Sequence, residues 1–364
     1  MIDFSKVPGI TNNGSVPREP TAQDRHYLLG YRWNTLLSYN AAIKKYQAFA
    51  KETGRIPYTL PLKPKDIYDF CHWAGRTADA PTSHDVAAVT LRKYLAGIQM
   101  WHTYHDTPFP EQTKQKVATM LKSSTYADLD TPRKPRKKAV TVGIMVKLAE
   151  LLGPGDPFQK ALLDLAIVAF WGMARLVELT YNNSKGLLRR QASLLTSDVQ
   201  FDQDLEGSKV SLIIRGAKTA DPGEEQVIHL HQLPHMLCPI LAIRRRLAEA
   251  EQFISTNGET SLFGFTEADG SRTHLTKPMA TRALDKIWKA QNLEGVSGHS
   301  FRVGGASVQK AFGVSDEQIC LRGRWNSDCY KLYLREFPPE ELEATYTLLN
   351  RLEECWTLST LKGS

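Results

Sequence analysis

The stretch Gly298–Ser307 (GHSFRVGGAS) carries a histidine and an arginine three residues apart, His299 and Arg302. On a helix that spacing puts both side chains on one face, where an imidazole and a guanidinium together can grip one phosphate. Taken alone, such a pair is more often a plain surface pair. The run Gly304–Gly305–Ala306–Ser307 costs a helix about 1 kcal/mol per glycine, so it asks for another backbone to pack closely there. Further along, the chain reads GRWNSDCYKLYLRE, with Trp325 followed by Tyr330 and Tyr333. A second group, His229, His231 and His235 (HLHQLPH), could suggest a metal site, but it lies on an expected strand and its exit. These histidines read as hairpin or core residues, and no metal ligand set is expected.

HSFRVGGAS, GRW and YLR together resemble the C-terminal boxes of tyrosine recombinases, the phage-integrase-like family, and especially the forms carried by Cryptons and related fungal mobile elements. In that family the catalytic residues run Arg, Lys, His, Arg, His or Trp, and Tyr. Upstream, FWGMARLVELT resembles the first box, which makes Arg175 the first arginine and Glu178 its supporting carboxylate. Lys218, in RGAKTAD, matches the lysine that the family carries on a β-hairpin. The resemblance spans about Asp156 to Arg335. It assigns the catalytic set Arg175, Lys218, His299, Arg302, Trp325 and Tyr333. The chain departs from bacterial members by Trp325 in place of histidine and by a tyrosine eight rather than nine residues later. Tyr333 fits the YLR box, while Tyr330 lies one helical turn earlier.

The physical chemistry of these roles is consistent. Attack on a phosphodiester builds charge on its non-bridging oxygens, which a permanently charged guanidinium fork can hold bidentately. Arg175 and Arg302 suit that task. A tyrosine of ordinary pKa, about 10, needs such a cationic site to become a nucleophile. Lys218, lowered by neighbouring arginines, can protonate the 5′-hydroxyl as it leaves. The resemblance implies metal-independent DNA breaking and rejoining through a 3′-phosphotyrosine, without a cofactor, by a homo-tetramer on two DNA duplexes, with monomer or dimer as the free forms. Alternatives are a type IB topoisomerase, which uses similar residues, and a domesticated DNA-binding protein that has lost catalysis.

The expected fold class is mainly α: an all-α core-binding domain and an α+β catalytic domain with a small antiparallel sheet. Helical periodicity appears at Trp33–Glu52, Lys65–Gly75, Asp85–Tyr104 and Glu111–Ser123. Residues 1–20 read as a flexible tail, 21–130 as the helical DNA-binding domain, 131–140 as a basic linker and 141–364 as the catalytic domain. Within the last, Asp156–Glu178 reads as one helix, and Lys209–Ile214 and Gln226–His231 as a hairpin. A C-terminal helix over 340–358, with a stripe of Leu342, Tyr346, Leu349, Leu352 and Trp356, is expected to dock on a neighbouring protomer, as the resemblance implies.

The 364 residues carry a net charge of +7, which favours a polyanionic partner. That surplus is uneven: 131–140 hold five basic residues and no acidic one, whereas 141–364 hold 25 Lys/Arg against 27 Asp/Glu. Candidate DNA contacts are Lys44, Lys45, Arg92 and Lys93 in the helical domain and Arg133, Lys134, Arg136, Lys137 and Lys138 in the linker. The linker also reads as a nuclear localisation signal, so a nuclear protein is expected. Five cysteines without a CxxC pair fit a reducing compartment, and the longest apolar stretch is too short to span a membrane.

Overall fold

Along Trp33–Glu52 the residues Leu36, Asn40, Ile43, Tyr46, Phe49 and Ala50 recur every three or four positions. This whole segment is one helix with those residues buried. The computed structural model describes every residue except 1–3, 78–81, 133–134, 205–206, 218–220, 222, 258 and 363–364. It divides into two units, Met1–Lys134 and Pro135–Ser364.

The first unit is helical: α1 (Pro8–Thr11), α2 (Ala22–Leu29), α3 (Trp33–Glu52), α4 (Pro64–Ala74), α5 (Ala88–Tyr104) and α6 (Lys114–Leu129). Aromatic rings fill its core, with Tyr46 within 5.3 Å of Phe70 and 5.6 Å of Phe49 between ring centroids. At Gly97, α5 approaches α3 so closely that a Cβ would sit 2.7 Å from that of Ala42. Residues 4–20 differ from the expected tail. Val7 and Ile10 are fully buried in this core, the Gly9 N–H donates to Asn40 Oδ1 at 2.8 Å, and Trp101 Nε1 donates to the Asn12 carbonyl at 2.9 Å. Two isolated apolar anchors with hydrogen-bonded backbone between them do the work of a helix face, and they leave no periodic pattern to read.

The second unit is built around α8 (Pro157–Trp171), which follows α7 (Val142–Leu152). Every residue from 161 to 170 is buried, so α8 is enclosed on all sides. The expected single helix over 156–178 breaks after Trp171. Gly172 packs so tightly on β3 (Gln226–His231) that a Cβ would meet Ile228 at 2.6 Å, and Met173 turns left-handed at φ 44° before α9 (Leu176–Leu179) begins. β1 (Val199–Asp204), β2 (Gly207–Ile214) and β3 form an antiparallel sheet with β2 in the centre. β1 was not expected, because its polar sequence VQFDQD has only Val199 and Phe201 as apolar alternates.

After β3 come α10 (Pro239–Asn257), a small hairpin of β4 (Gly264–Thr266) and β5 (Arg272–His274), α11 (Lys277–Ala290), α12 (Ser300–Ala311), α13 (Asp316–Gly323) and α14 (Pro339–Lys362). The glycines of α12 are explained by close approach. A Cβ on Gly304 would lie 2.0 Å from the Val140 carbonyl oxygen, and one on Gly305 2.0 Å from that of Phe170. α14 lies on its own unit, with Leu348, Leu349 and Leu352 against the core and Tyr346 stacked on Phe312 at 4.7 Å. In the single chain, then, the expected stripe is partly used in cis. The class is the expected one, mainly α with a small antiparallel sheet.

Candidate active site

α12, the break after α8 and the end of α13 bring the residues of the sequence boxes to one place. Arg302, on α12, is completely buried. Its Nη1 donates to the Met173 carbonyl at 2.6 Å and its Nη2 to the Gly323 carbonyl at 2.5 Å, leaving Nε without a partner. The fork expected to open towards a phosphate therefore faces backbone, and the rings of Trp325 and Tyr333 lie against the guanidinium carbon at 4.3 Å and 5.5 Å. Two non-glycine residues held in the left-handed region flank it, Met173 at φ 44° and Arg324 at φ 57°. Such conformations cost about 1–3 kcal/mol each and persist where the surroundings impose them.

Arg175 is the N-cap of α9, and its exposed fraction is small. Glu178 reaches back to it, accepting from the Arg175 backbone N–H at 2.9 Å and from Nη1 at 2.7 Å. The same carboxylate accepts from Arg324 Nη2 at 2.6 Å. Burial pushes the Glu178 carboxyl up, but Arg324 and Arg175 outweigh it and hold it below the usual carboxylate range. Glu178 thus supports two arginines, one of which the sequence boxes had left without a role. Arg324 and Glu178 are 146 residues apart, a pairing that no local pattern reveals.

His299 is the N-cap of α12, and its ring centroid lies 4.8 Å from that of Tyr333. Desolvation of its inner side, then the charges of Arg302, Arg175 and Arg335, hold the imidazole below its ordinary value, so the neutral form is favoured at neutral pH. Trp325 is buried, its ring 5.0 Å from Tyr333 and its Nε1 unpartnered. Ser307, from the small run of α12, holds the Tyr333 segment: its hydroxyl accepts from the Arg335 N–H at 2.9 Å and faces the Tyr333 carbonyl at 3.3 Å. Tyr330 is placed elsewhere. It sits in a short 3-10 turn, Asp328–Leu332, and its hydroxyl donates to Asp316 at 3.0 Å. Burial and that carboxylate push its phenol up.

Lys218 lies outside the described residues. The strand end before it is pinned by Arg215, which pairs with Asp198 and, at 2.9 Å, with Glu225. Among the described residues no group of three or more His, Cys, Asp or Glu gathers as a metal site.

Of the candidate DNA contacts, Lys44, Arg92, Lys93, Arg136, Lys137 and Lys138 are exposed, and Arg133 and Lys134 fall outside the described residues. Lys45 is turned inward, donating to the His84 carbonyl at 2.6 Å and lying 4.9 Å above the Trp73 ring. The linker is not free along its length: Lys138 and Val140 donate to the Gly295 and Ser300 carbonyls, and Arg335 Nη2 donates to the Lys137 carbonyl at 3.1 Å.

Solved structures give a likeness to the fold. Two structures of the Tn1549 transposon integrase in complex with circular intermediate DNA match at TM-score 0.50, with 13% and 12% identity, covering 90% of this chain and 96% and 97% of those chains. The chain has the tyrosine recombinase fold. A structure of the XerH site-specific recombinase bound to palindromic difH substrate matches at TM-score 0.49 and 14% identity, over 89% of this chain and 80% of that one. No protein-family model and no curated protein matches the sequence. With this recombinase fold, the cluster of Arg175, His299, Arg302, Trp325 and Tyr333 falls within one unit, Pro135–Ser364.

Proposed function

We propose that the chain is a site-specific DNA recombinase or integrase that breaks and rejoins double-stranded DNA through a 3′-phosphotyrosine on Tyr333. The observation that carries this reading is a set of buried donors with nothing to bind, Arg302 Nε and Trp325 Nε1, beside the Tyr333 ring. Buried donors are nearly always paired, and each exception calls for an account in strain, in catalysis or in a bound water, ion or ligand. A phosphate answers that need.

In the proposed reaction the Tyr333 oxygen attacks phosphorus and gives its proton to neutral His299. The bond from phosphorus to the 5′ oxygen breaks, and Lys218 protonates that oxygen as it departs, giving a 5′-hydroxyl. Arg175 and Arg302 stabilise the charge that develops on the phosphoryl oxygens, usually the largest catalytic contribution. Religation reverses these steps with a new 5′-hydroxyl, so the bond energy is conserved. The positive groups in this scheme all belong to the chain, and the reaction is proposed to run without a metal.

Double-stranded DNA is proposed as the partner, in line with the DNA held by the Tn1549 integrase structures of the same fold. The assembly proposed is a homo-tetramer on two duplexes, to which α14 contributes through apolar positions left open, such as Leu358. A Crypton-type mobile element is the proposed setting, for which the GRW and YLR boxes speak. The exposed run Arg136–Lys138 supports a nuclear location. Mapping covalent cleavage positions on a library of nicked element-end duplexes tests the reading. A protein–DNA adduct with a free 5′-hydroxyl at a defined position is expected; cleavage that leaves no adduct contradicts it.

A further inference from the structure

Arg324 belongs to the GRW box, yet its position is unusual for an arginine. It caps α13 in the left-handed conformation, φ 57° and ψ 47°, a place that glycine or asparagine takes most readily. Its side chain is only 6% exposed. One terminal nitrogen, Nη2, donates to Glu178, while Nε and Nη1 are buried without a partner. Glu178 already accepts three hydrogen bonds, from the Arg175 backbone N–H, from Arg175 Nη1 and from Arg324 Nη2. Three guanidiniums, of Arg175, Arg302 and Arg324, thus stand around a single carboxylate. Burial and the other arginines push the Arg302 and Arg324 guanidiniums down from their ordinary range, as expected of a cation cluster that lacks an anion.

We propose that Arg324 is a third phosphate-binding arginine of this site, offering Nε and Nη1 to a phosphoryl oxygen while Nη2 stays on Glu178. This rests on the reading of the cluster as the seat of a phosphate. The charges agree with it. One carboxylate cancels one of the three guanidiniums, leaving two positive charges for a phosphodiester that passes from one negative charge to two as the tyrosine adds. Without Arg324, Glu178 would cancel half of the remaining charge. A merely structural role, neutralising Glu178, would leave Arg324 dispensable once that carboxylate is gone.

This difference sets the test, made on the full chain with inorganic phosphate as probe at constant ionic strength, reading the phosphate-dependent rise in melting temperature. Glu178→Gln is expected to bind phosphate at least as tightly as the parent. Glu178→Gln combined with Arg324→Gly should bind about tenfold or more weakly, the loss of a charge-assisted hydrogen bond, although glycine suits the backbone there. Arg324→Lys, which keeps the charge without the fork, should fall between the parent and the double variant. Equal phosphate binding by the double variant and Glu178→Gln overturns the proposal, as does a parent protein that phosphate does not stabilise. Covalent adduct formation on nicked DNA is measured alongside. Phosphate binding that depends on Arg324 without any adduct would sink the DNA-cleavage reading and leave this inference standing; adduct with phosphate binding indifferent to Arg324 does the opposite.

Discussion

Two buried arginine–carboxylate clusters lie in the second unit, and they are built differently. In the first, Asp164 on α8 accepts from Arg245 at 2.5 Å and from Arg246 at 2.6 Å, while Arg246 also reaches the Gly264 carbonyl at 3.4 Å. Arg245 is half-exposed and can spend its surplus charge on water. Burial nevertheless pushes the Asp164 carboxyl above its usual range. In the second, around Glu178, the carboxylate is held low, and Arg302, Arg324 and Trp325 keep buried N–H groups without partners. The first cluster is complete in itself and fastens α10 to α8. The second keeps unpaired donors, held among two left-handed residues and the tilted rings of Trp325 and Tyr333. What distinguishes the second cluster is that the unpaired donors of Arg302, Arg324 and Trp325 gather around one tyrosine and one carboxylate, whereas other unpaired donors, such as Arg272 Nε and Trp288 Nε1, are scattered singly.

The largest effect is expected at the scaffold. Asp164→Asn leaves buried Arg246 uncompensated and should lower the unfolding free energy by about 3–5 kcal/mol in urea titration, with cleavage per folded molecule unchanged. A variant as stable as the parent would erase the distinction between the clusters. At the site, Arg175→Ala should slow adduct formation by about 10²–10³-fold while duplex affinity changes little, because binding is spread over many phosphates. Equal reductions in binding and cleavage would make Arg175 a docking residue instead.

Smaller effects lie at the edges. Replacing Arg136, Lys137 and Lys138 with glutamine should weaken binding to all sequences alike. It should also flatten the salt dependence, by about 0.9 in slope for each phosphate that the variant no longer neutralises; an unaltered slope removes this segment from the interface. The smallest change concerns pH. Since the folded His299 has a lowered pKa, its neutral, proton-accepting form persists at neutral pH and below the ordinary imidazole value of about 6.5. It is lost only as pH falls through the lowered value. Adduct formation, corrected for folded fraction, should therefore hold level past that point, and a decline centred there would show an unperturbed histidine.

Sequence periodicity made α3 and β3 legible to the residue, because each buries one regular face of its own side chains. The boxes made His299, Arg302, Trp325 and Tyr333 legible as a set. What they could not convey was the state of those residues: the Arg302 fork turned to two carbonyls, the second partner of Glu178, and the hold of Ser307 on the Tyr333 segment. Each joins segments far apart in the chain. The break at Gly172 and the buried Val7 and Ile10 escaped for a related reason, since the packing of β3 and the core of α3 and α5 decide them.

The central claim is that Tyr333 is the residue joined to DNA, and it sets two tyrosines three residues apart against each other. Tyr333 faces His299, Trp325 and Arg302, whereas the Tyr330 hydroxyl is taken by Asp316. Nicked duplexes carrying the mapped cleavage position trap the covalent product, which a denaturing gel resolves. Tyr333→Phe should give no adduct, and Tyr330→Phe should form it while melting at a lower temperature. Adduct that survives in Tyr333→Phe and disappears in Tyr330→Phe would contradict the account.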